Sequence, residues 1–166
     1  MKIFFLFLSL ICALPFSAHS YQDKGLHVSL SSVRREHSRD SGSTTITINV
    51  DNQTLTYDET RTGMRRGEPV HKKYLLTDEE VLKLKQLVRE KKLLVNGSSE
   101  YPAGNPPFIF YTLNAKVRLG GKQSQIKVSG PSNSDALKKD TLYQKSNALF
   151  EELMSIIYAH DQPAPK

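Results

Sequence analysis

Apolar and polar residues alternate in several segments of this chain, and this two-residue period limits the fold more than any other sequence feature. Residues 26–30, 45–57, 70–76 and 113–128 all show the pattern. Successive side chains of a β-strand point to opposite faces of a sheet, so the alternation predicts half-buried strands. We therefore expect a sheet with one apolar and one polar face.

The first hairpin is predicted at Asp51-Asn52, because both residues tolerate the positive φ angle that tight hairpin turns require. A two-residue turn here pairs Val50 with Gln53, Ile48 with Leu55 and Ile46 with Tyr57. The apolar side chains of the two strands then share one face. A charged, flexible connection is predicted from Arg34 to Ser43, ahead of this hairpin.

The second hairpin is predicted at Gly120-Gly121, where two glycines follow one alternating run and precede another. A two-residue turn at the glycines pairs Ala115 with Ile126 and Leu113 with Val128. The segment 96–107, with three prolines and two glycines, predicts a loop, and a polar stretch runs from Gly130 to Asp140.

One helix has clear start and stop patterns. Thr77 and Glu80 form a predicted capping box, with Leu76 and Val81 placed as a hydrophobic staple. The helix is expected to stop at Asn96-Gly97.

A second helix is predicted from a capping box at Thr141 and Gln144. Its apolar stripe consists of Leu142, Leu149, Phe150, Leu153, Met154, Ile156 and Ile157.

These elements predict an α+β fold in which an antiparallel sheet of two or more hairpins carries two helices on one face. Residues 21–160 form a single predicted domain, and residues 161–166, with two prolines, form a flexible C-terminal tail. The order of hairpin, loop and capped helix occurs twice. This repetition indicates either an internal duplication of a β-β-α unit or two similar units that arose independently.

Residues 1–20 have the order of a secretory signal peptide: Lys2, an apolar run, and small residues at Ala18 and Ser20. The apolar run is too short for a transmembrane helix, so we expect a secreted or periplasmic protein without a membrane span. The only cysteine is Cys12, within that run. Ile11 precedes it where lipid attachment needs a small residue, which disfavours a lipoprotein.

Cleavage after Ser20 leaves a chain without cysteine. Disulfides, a thiol nucleophile, an iron–sulfur cluster and a cysteine-ligated zinc are then excluded, and the absence of bridges favours a bacterial envelope or secreted protein. Without Lys2, 22 basic residues face 17 acidic ones, a mild excess of +5 that permits an anionic partner.

No common catalytic motif is present. Ser124 and Lys127 match a serine-x-x-lysine pattern, but positions three apart on a strand point to opposite faces. The histidines at positions 27, 37, 71 and 160 have no metal-ligand spacing. We therefore expect no metal or cofactor, and an enzyme is the less favoured interpretation.

A basic segment after Thr60 is the leading candidate site. Its cations and histidine are Arg61, Arg65, Arg66, His71, Lys72 and Lys73. Arginines beside flexible glycine backbone suit phosphate, sulfate or carboxylate groups, whereas a solvated hairpin loop is the plainer explanation.

An aromatic and proline-rich segment is the alternative partner-binding loop. Its aromatic residues are Tyr101, Phe108, Phe110 and Tyr111. In the plainer interpretation, Phe108 and Phe110 begin a strand and are buried inward.

The leading hypothesis is an exported, non-enzymatic interaction module that binds a protein or an anionic surface polymer through loops at one end of the sheet. The alternative is an envelope or secreted hydrolase with a dispersed active site. Nucleic acid is a weaker candidate partner, since the aromatic residues of a base-stacking platform are absent from the basic segment.

Overall fold

The computed structural model describes residues 25–37, 41–63, 66–103 and 108–162. These residues form a seven-stranded sheet and three helices, so the predicted α+β class is confirmed. The predicted signal peptide, residues 1–20, lies outside the described residues, as do residues 163–166. In the described part of the chain, no helix has the length and apolar character needed to cross a membrane.

The described chain runs through four strands, one helix, three strands and two helices. The strands are β1 (His27–His37), β2 (Gly42–Asp51), β3 (Thr54–Gly63), β4 (Val70–Leu75), β5 (Gly97–Glu100), β6 (Phe108–Leu119) and β7 (Lys122–Pro131). The helices are α1 (Asp78–Glu90), α2 (Asp135–Lys139) and α3 (Thr141–Asp161).

The strands form one sheet in the order β4-β3-β2-β1-β6-β7-β5. Every neighbouring pair is antiparallel except β5 and β7, which run parallel, so the sheet is mixed and the predicted antiparallel arrangement holds for all of its pairs but this one. β4 and β5 lie at opposite edges, and the segment that contains α1 connects them. A crossover of this length does not impose the antiparallel direction that a tight hairpin imposes.

The first hairpin forms, but its turn residues are Asn52 and Gln53, one position later than predicted. The observed pairs are Asp51 with Thr54, Val50 with Leu55, and Ile48 with Tyr57. The predicted pairing of Ile48 with Leu55 is therefore wrong. Asn52 has a φ angle of 55° and so takes the positive-φ position of the turn. The partner of each β2 residue is thus two positions later than predicted. Because two is an even number, the apolar side chains still share one face.

The second hairpin has the predicted register, with Ala115 opposite Ile126 and Leu113 opposite Val128. Gly120 and Gly121 have φ angles of 59° and 79°. Two successive positive φ angles are what a type I′ turn requires, and glycine adopts them without a steric penalty.

The buried strand residues lie on one surface of the sheet, which we call the core face. They include Val28, Leu30, Ile48, Val50, Leu55, Leu113, Ala115, Val117, Ile126 and Val128. Their neighbours along each strand point to the opposite surface, which we call the polar face, and include Ser29, Ser31, Asn49, Thr56, Asn114 and Lys116.

Helix α1 begins as predicted. The Thr77 side chain accepts the backbone N–H of Glu80, and the Glu80 side chain accepts the N–H of Thr77, so the capping box is confirmed. The predicted stop at Asn96-Gly97 is wrong, because the helix ends at Glu90. Lys92 has a φ angle of 51°, and the N–H of Leu93 donates to the carbonyl of Val88 at 2.9 Å. This bonding pattern is a Schellman motif.

Two elements lie in segments where the sequence predicts neither a strand nor a helix. Gly97 starts the edge strand β5, and Ser134 caps the short helix α2. Both were missed because neither segment has an apolar period.

Helix α3 is capped by Asp140, whose side chain accepts the N–H groups of Leu142 and Tyr143 at 2.6 and 2.9 Å. The predicted capping box at Thr141 and Gln144 is therefore wrong, since Thr141 is already the first helical residue. Four residues of the predicted apolar stripe are buried, namely Leu149, Leu153, Ile156 and Ile157. The helix contacts α1, α2 and strands β5, β6 and β7.

Candidate functional site

Both predicted candidate segments start or end at the same end of the sheet. β1 ends at His37, β3 ends at Gly63, and the antiparallel strands β2, β4 and β6 begin at this end. The basic segment runs from the end of β3 into the start of β4, and the aromatic segment runs into the start of β6. We call this end of the sheet the rim.

A cleft of about 440 Å³ opens on the core face at the rim, and we call it the rim cleft. It is lined by residues of β1, β2 and β3, by Tyr111 of β6 and by residues of α3. Arg34 and Glu36 take part because β1 continues as a regular strand to His37. The predicted flexible connection from Arg34 to Ser43 is therefore wrong at its two ends, where residues 34–37 belong to β1 and residues 42–43 belong to β2, while its central residues 38–40 lie outside the described residues.

Two arginines of the rim cleft lie on the same cross-strand row. Arg34 of β1 is opposite Thr44 of β2, and Thr44 is opposite Arg61 of β3. Tyr111 of β6 extends the row on the other side of Arg34. Since neighbouring strands are about 4.8 Å apart, the backbones at the two arginines are separated by roughly 10 Å, with the smaller Thr44 between them.

Each arginine is paired with a glutamate two residues away on its own strand. The Arg34 Nη2 donates to Glu36 Oε1 at 2.9 Å, and the Arg61 Nε donates to Glu59 Oε1 at 2.5 Å. Residues two apart on a strand share a face, so both pairs follow from the local sequence once the strands form. The described charges of the rim cleft are therefore balanced, with two guanidinium groups and two carboxylates.

The Tyr57 hydroxyl completes this network by donating to Glu59 Oε2 at 2.6 Å. This hydrogen bond, with those from Arg61, lowers the pKa of Glu59 although partial burial opposes the change. Burial and the nearby carboxylate raise the pKa of Tyr57. At neutral pH Glu59 is thus ionised and Tyr57 is protonated, and neither group is poised to exchange a proton.

Helix α3 supplies a largely apolar wall. Phe150, Met154 and Tyr158 line the rim cleft, and together with Ile46 they also line an adjoining hollow of about 590 Å³. Tyr158 is 61% exposed, which is high for an aromatic residue beside a cleft. The site therefore joins a polar floor to an accessible apolar wall.

The predicted basic residues do not form one patch among the described residues. Arg61 lines the rim cleft, while Lys72, also on the core-face side, donates to Asp161 of α3 at 2.7 Å. His71 and Lys73 alternate with Lys72 and lie on the polar face, where His71 contacts Asp58 at 2.5 Å.

The two other predicted cations lie in the connection between β3 and β4. Arg66 is exposed, and Arg65 lies outside the described residues. The basic segment is therefore divided between two faces and a loop.

The four predicted aromatic residues also separate. The Tyr101 hydroxyl donates to Asp140, the cap of α3, at 2.7 Å, and Tyr111 lines the rim cleft. Phe108 and Phe110 do begin β6, but they are opposite His37 and Arg35 on the polar face. They are half-buried there, and the Phe108 ring stacks on the His37 ring with centroids 4.7 Å apart. The expectation that these two side chains turn inward is wrong.

Sequence reasoning missed most of the rim cleft. The charged segment that contains Arg34 and Glu36 predicts a loop, and the alternating pattern indicates only a core position for Tyr57. The pattern that indicates this site is two pairs of residues with i, i+2 spacing, each with one arginine and one glutamate, Arg34-x-Glu36 and Glu59-x-Arg61. On strands that share a sheet, both pairs can face the same side.

The described residues contain no group of three or more His, Cys, Asp or Glu side chains that could hold a metal ion. A scan of the chain against protein-family models finds no match, and a search of curated proteins also finds none.

Proposed function

We propose that this protein is an exported, non-enzymatic interaction module that binds a protein partner in the rim cleft. The observation that carries the proposal is the composition of the cleft, where Arg34 and Arg61 lie beside the α3 wall of Phe150, Met154 and Tyr158. Arginine, tyrosine, phenylalanine and methionine are enriched at the centres of protein interfaces.

The distribution of charge favours a protein partner over an anionic surface polymer. Each cleft arginine is paired with a glutamate, and Lys72 is paired with Asp161. A polyanion is bound best by a continuous basic surface, whereas the predicted cations lie on two faces and a loop. The polymer hypothesis therefore depends on the connection between β3 and β4.

The same site supports binding better than hydrolysis. Glu59 is held ionised by Tyr57 and Arg61, and Tyr57 is held protonated. A general acid or base needs a pKa near the working pH, and the pKa values of these two groups are shifted away from neutral pH.

We also propose that α1 and α3 cover the same face of the sheet. The buried α1 residues Leu84 and Val88 belong to one hydrophobic cluster with Leu149 and Leu153 of α3 and with the core-face strand residues. The duplication of a β-β-α unit remains a prediction.

Site-specific photocrosslinking tests the proposed function. The mature protein with benzoylphenylalanine at Tyr158, in the cleft, is expected to form a crosslinked adduct with a specific envelope or extracellular protein of the producing organism. The matched control has the same group at Lys127, which is exposed on the polar face. Equal yields of one adduct from both positions, or no adduct from Tyr158, would count against the proposal.

A further inference from the structure

The two cleft arginines retain hydrogen-bonding capacity beyond their glutamate partners. A guanidinium group has five N–H donors in a planar fork. Arg34 uses Nη2 toward Glu36, and its buried Nε has no hydrogen-bond partner among the described residues. Arg61 uses Nε toward Glu59. The two side chains are 42% and 56% exposed, and both line the rim cleft.

The space between the arginines is kept open by small residues of β2. Thr44 lies between them on the row, and Gly42 is the next residue of β2 on the same side. A Cβ atom at Gly42 would lie 2.8 Å from the carbonyl oxygen of Thr62, so a larger residue there does not fit the present backbone. Thr44 also offers a hydroxyl group to an anion held between the two guanidinium groups.

The balanced charge of the cleft determines which anion fits. Glu36 and Glu59 line the same cleft and would repel a group that carries several negative charges. A single carboxylate can accept two parallel N–H bonds from a guanidinium fork and brings only one charge. Next to this position, Ile46, Phe150 and Met154 offer an apolar surface.

We infer that the rim cleft recognises the carboxyl terminus of a polypeptide, which presents a single carboxylate beside a large apolar side chain. Arg34 and Arg61 bind the carboxylate across Thr44, and the α3 wall binds the apolar side chain. The inference rests on the proposed function, for which it names the chemical feature of the partner.

Titration of the mature protein with two small probes tests the inference. N-acetylphenylalanine carries a carboxylate beside an aromatic side chain, and N-acetylphenylalaninamide differs only in lacking the charge. We expect the acid to bind at least tenfold more tightly than the amide, with the largest amide chemical-shift changes at Thr44, Arg61 and Phe150. Inorganic phosphate at equal concentration should displace the acid poorly. Equal affinity for acid and amide in the parent protein overturns the inference without any variant.

Three variants identify the binding groups. Arg34→Gln and Arg61→Gln should each reduce affinity for the acid about tenfold and leave affinity for the amide unchanged, whereas Lys127→Gln on the polar face should change neither. Retention of full acid binding by both arginine variants, in proteins whose spectra show the native fold, overturns the inference. If crosslinking at Tyr158 succeeds while acid and amide bind equally, the carboxylate inference fails and the proposed function stands. If both arginine substitutions weaken binding of the acid but no partner is crosslinked, the proposed function fails instead.

Discussion

The Tyr57 hydroxyl donates to Glu59 at 2.6 Å, and the Tyr57 side chain is buried. The effect of this hydrogen bond on the pKa of Glu59 can be measured. Tyr57→Phe removes the donor, so the pKa of Glu59 should rise toward its ordinary value of 4.5. A carboxyl group whose pKa is lowered by folding stabilises the fold above its unfolded pKa, and this stabilisation is lost as the pH falls through the folded pKa. The variant should therefore be less stable by about 1 kcal/mol at neutral pH.

Urea unfolding at several pH values measures this effect. The difference between parent and Tyr57→Phe should shrink as the pH falls below the pKa of Glu59, because the protonated carboxyl group no longer gains from the hydrogen bond. Tyr158→Phe, at a 61% exposed position, is the control and should be close to neutral throughout. A stability difference that does not change with pH would show that Tyr57 acts through packing alone.

Single residues were the hardest features to predict. Arg61 was selected from the sequence for its neighbouring cations, and the structure places it in the rim cleft beside Glu59. Arg34 was not selected, because a charged segment at the end of an alternating run resembles a loop. Its position opposite Thr44 depends on β1 pairing with β2 through residues 34–36, which is a long-range property.

At the scale of single elements, the end of α1 offers a stabilising substitution. Lys92 has a φ angle of 51°, a left-handed conformation that costs a residue with a Cβ atom about 1 kcal/mol or more. Lys92→Gly should therefore increase the free energy of unfolding by about 1 kcal/mol. Lys91→Gly removes the same charge at a φ angle of −79° and should lower stability. Urea denaturation compares the two, and the same effect from both would contradict the assigned end of the helix.

The start of α3 gives a second test of an element boundary. Asp140 accepts two backbone N–H groups and the Tyr101 hydroxyl, whereas Thr141 is exposed in the first turn. Asp140→Ala should destabilise the fold by about 1 to 2 kcal/mol, and Thr141→Ala should be nearly neutral. Thermal unfolding distinguishes them, with Tyr101→Phe separating the hydroxyl contact from the cap. A larger effect at Thr141 would restore the capping box predicted from the sequence.

Elements with strong local patterns were predicted well, and those without them were missed. The capping box at Thr77 and the glycine turn at Gly120 were identified correctly because a few neighbouring residues decide them. β5 contains only Gly97–Glu100 and has no apolar residue. It becomes a strand through pairing with β7, which no local pattern indicates.

For the whole molecule, we expect the exported protein to begin at Tyr21, with His19 as the alternative start. Ala18 and Ser20 place small side chains at the two positions that the signal peptidase recognises. Intact mass spectrometry of the protein from the native organism measures this directly. A mass that corresponds to a chain starting at a diacylated Cys12 would replace the secreted form with a membrane-anchored one.

The distribution of charge over the whole molecule gives a further prediction. The sequence contains 23 basic and 17 acidic residues, but several described cations are paired with carboxylates. We expect weak binding to heparin that is lost at moderate salt, because exposed charges are screened over about 8 Å at physiological ionic strength. Reversal of Arg65 and Arg66 to glutamate should lower only modestly the salt concentration at which the protein elutes from a heparin column. Loss of all heparin binding in that double variant would favour the anionic-polymer hypothesis over a protein partner.

Features that depend on near neighbours in the chain could be predicted from the amino-acid pattern. Period-two alternation predicted the core-face residues of the two hairpins, the capping box predicted where α1 begins, and the two glycines predicted where the second hairpin turns. Three features emerge only when the chain folds: the order of the strands, the parallel pairing of β5 with β7, and the row that joins Arg34, Thr44 and Arg61. These features depend on contacts between residues far apart in the chain, and many strand orders satisfy the same alternating pattern. The site differs from its prediction for this reason: neighbouring cations in the sequence alternate between the two faces of a sheet, while residues on different strands meet in one cleft.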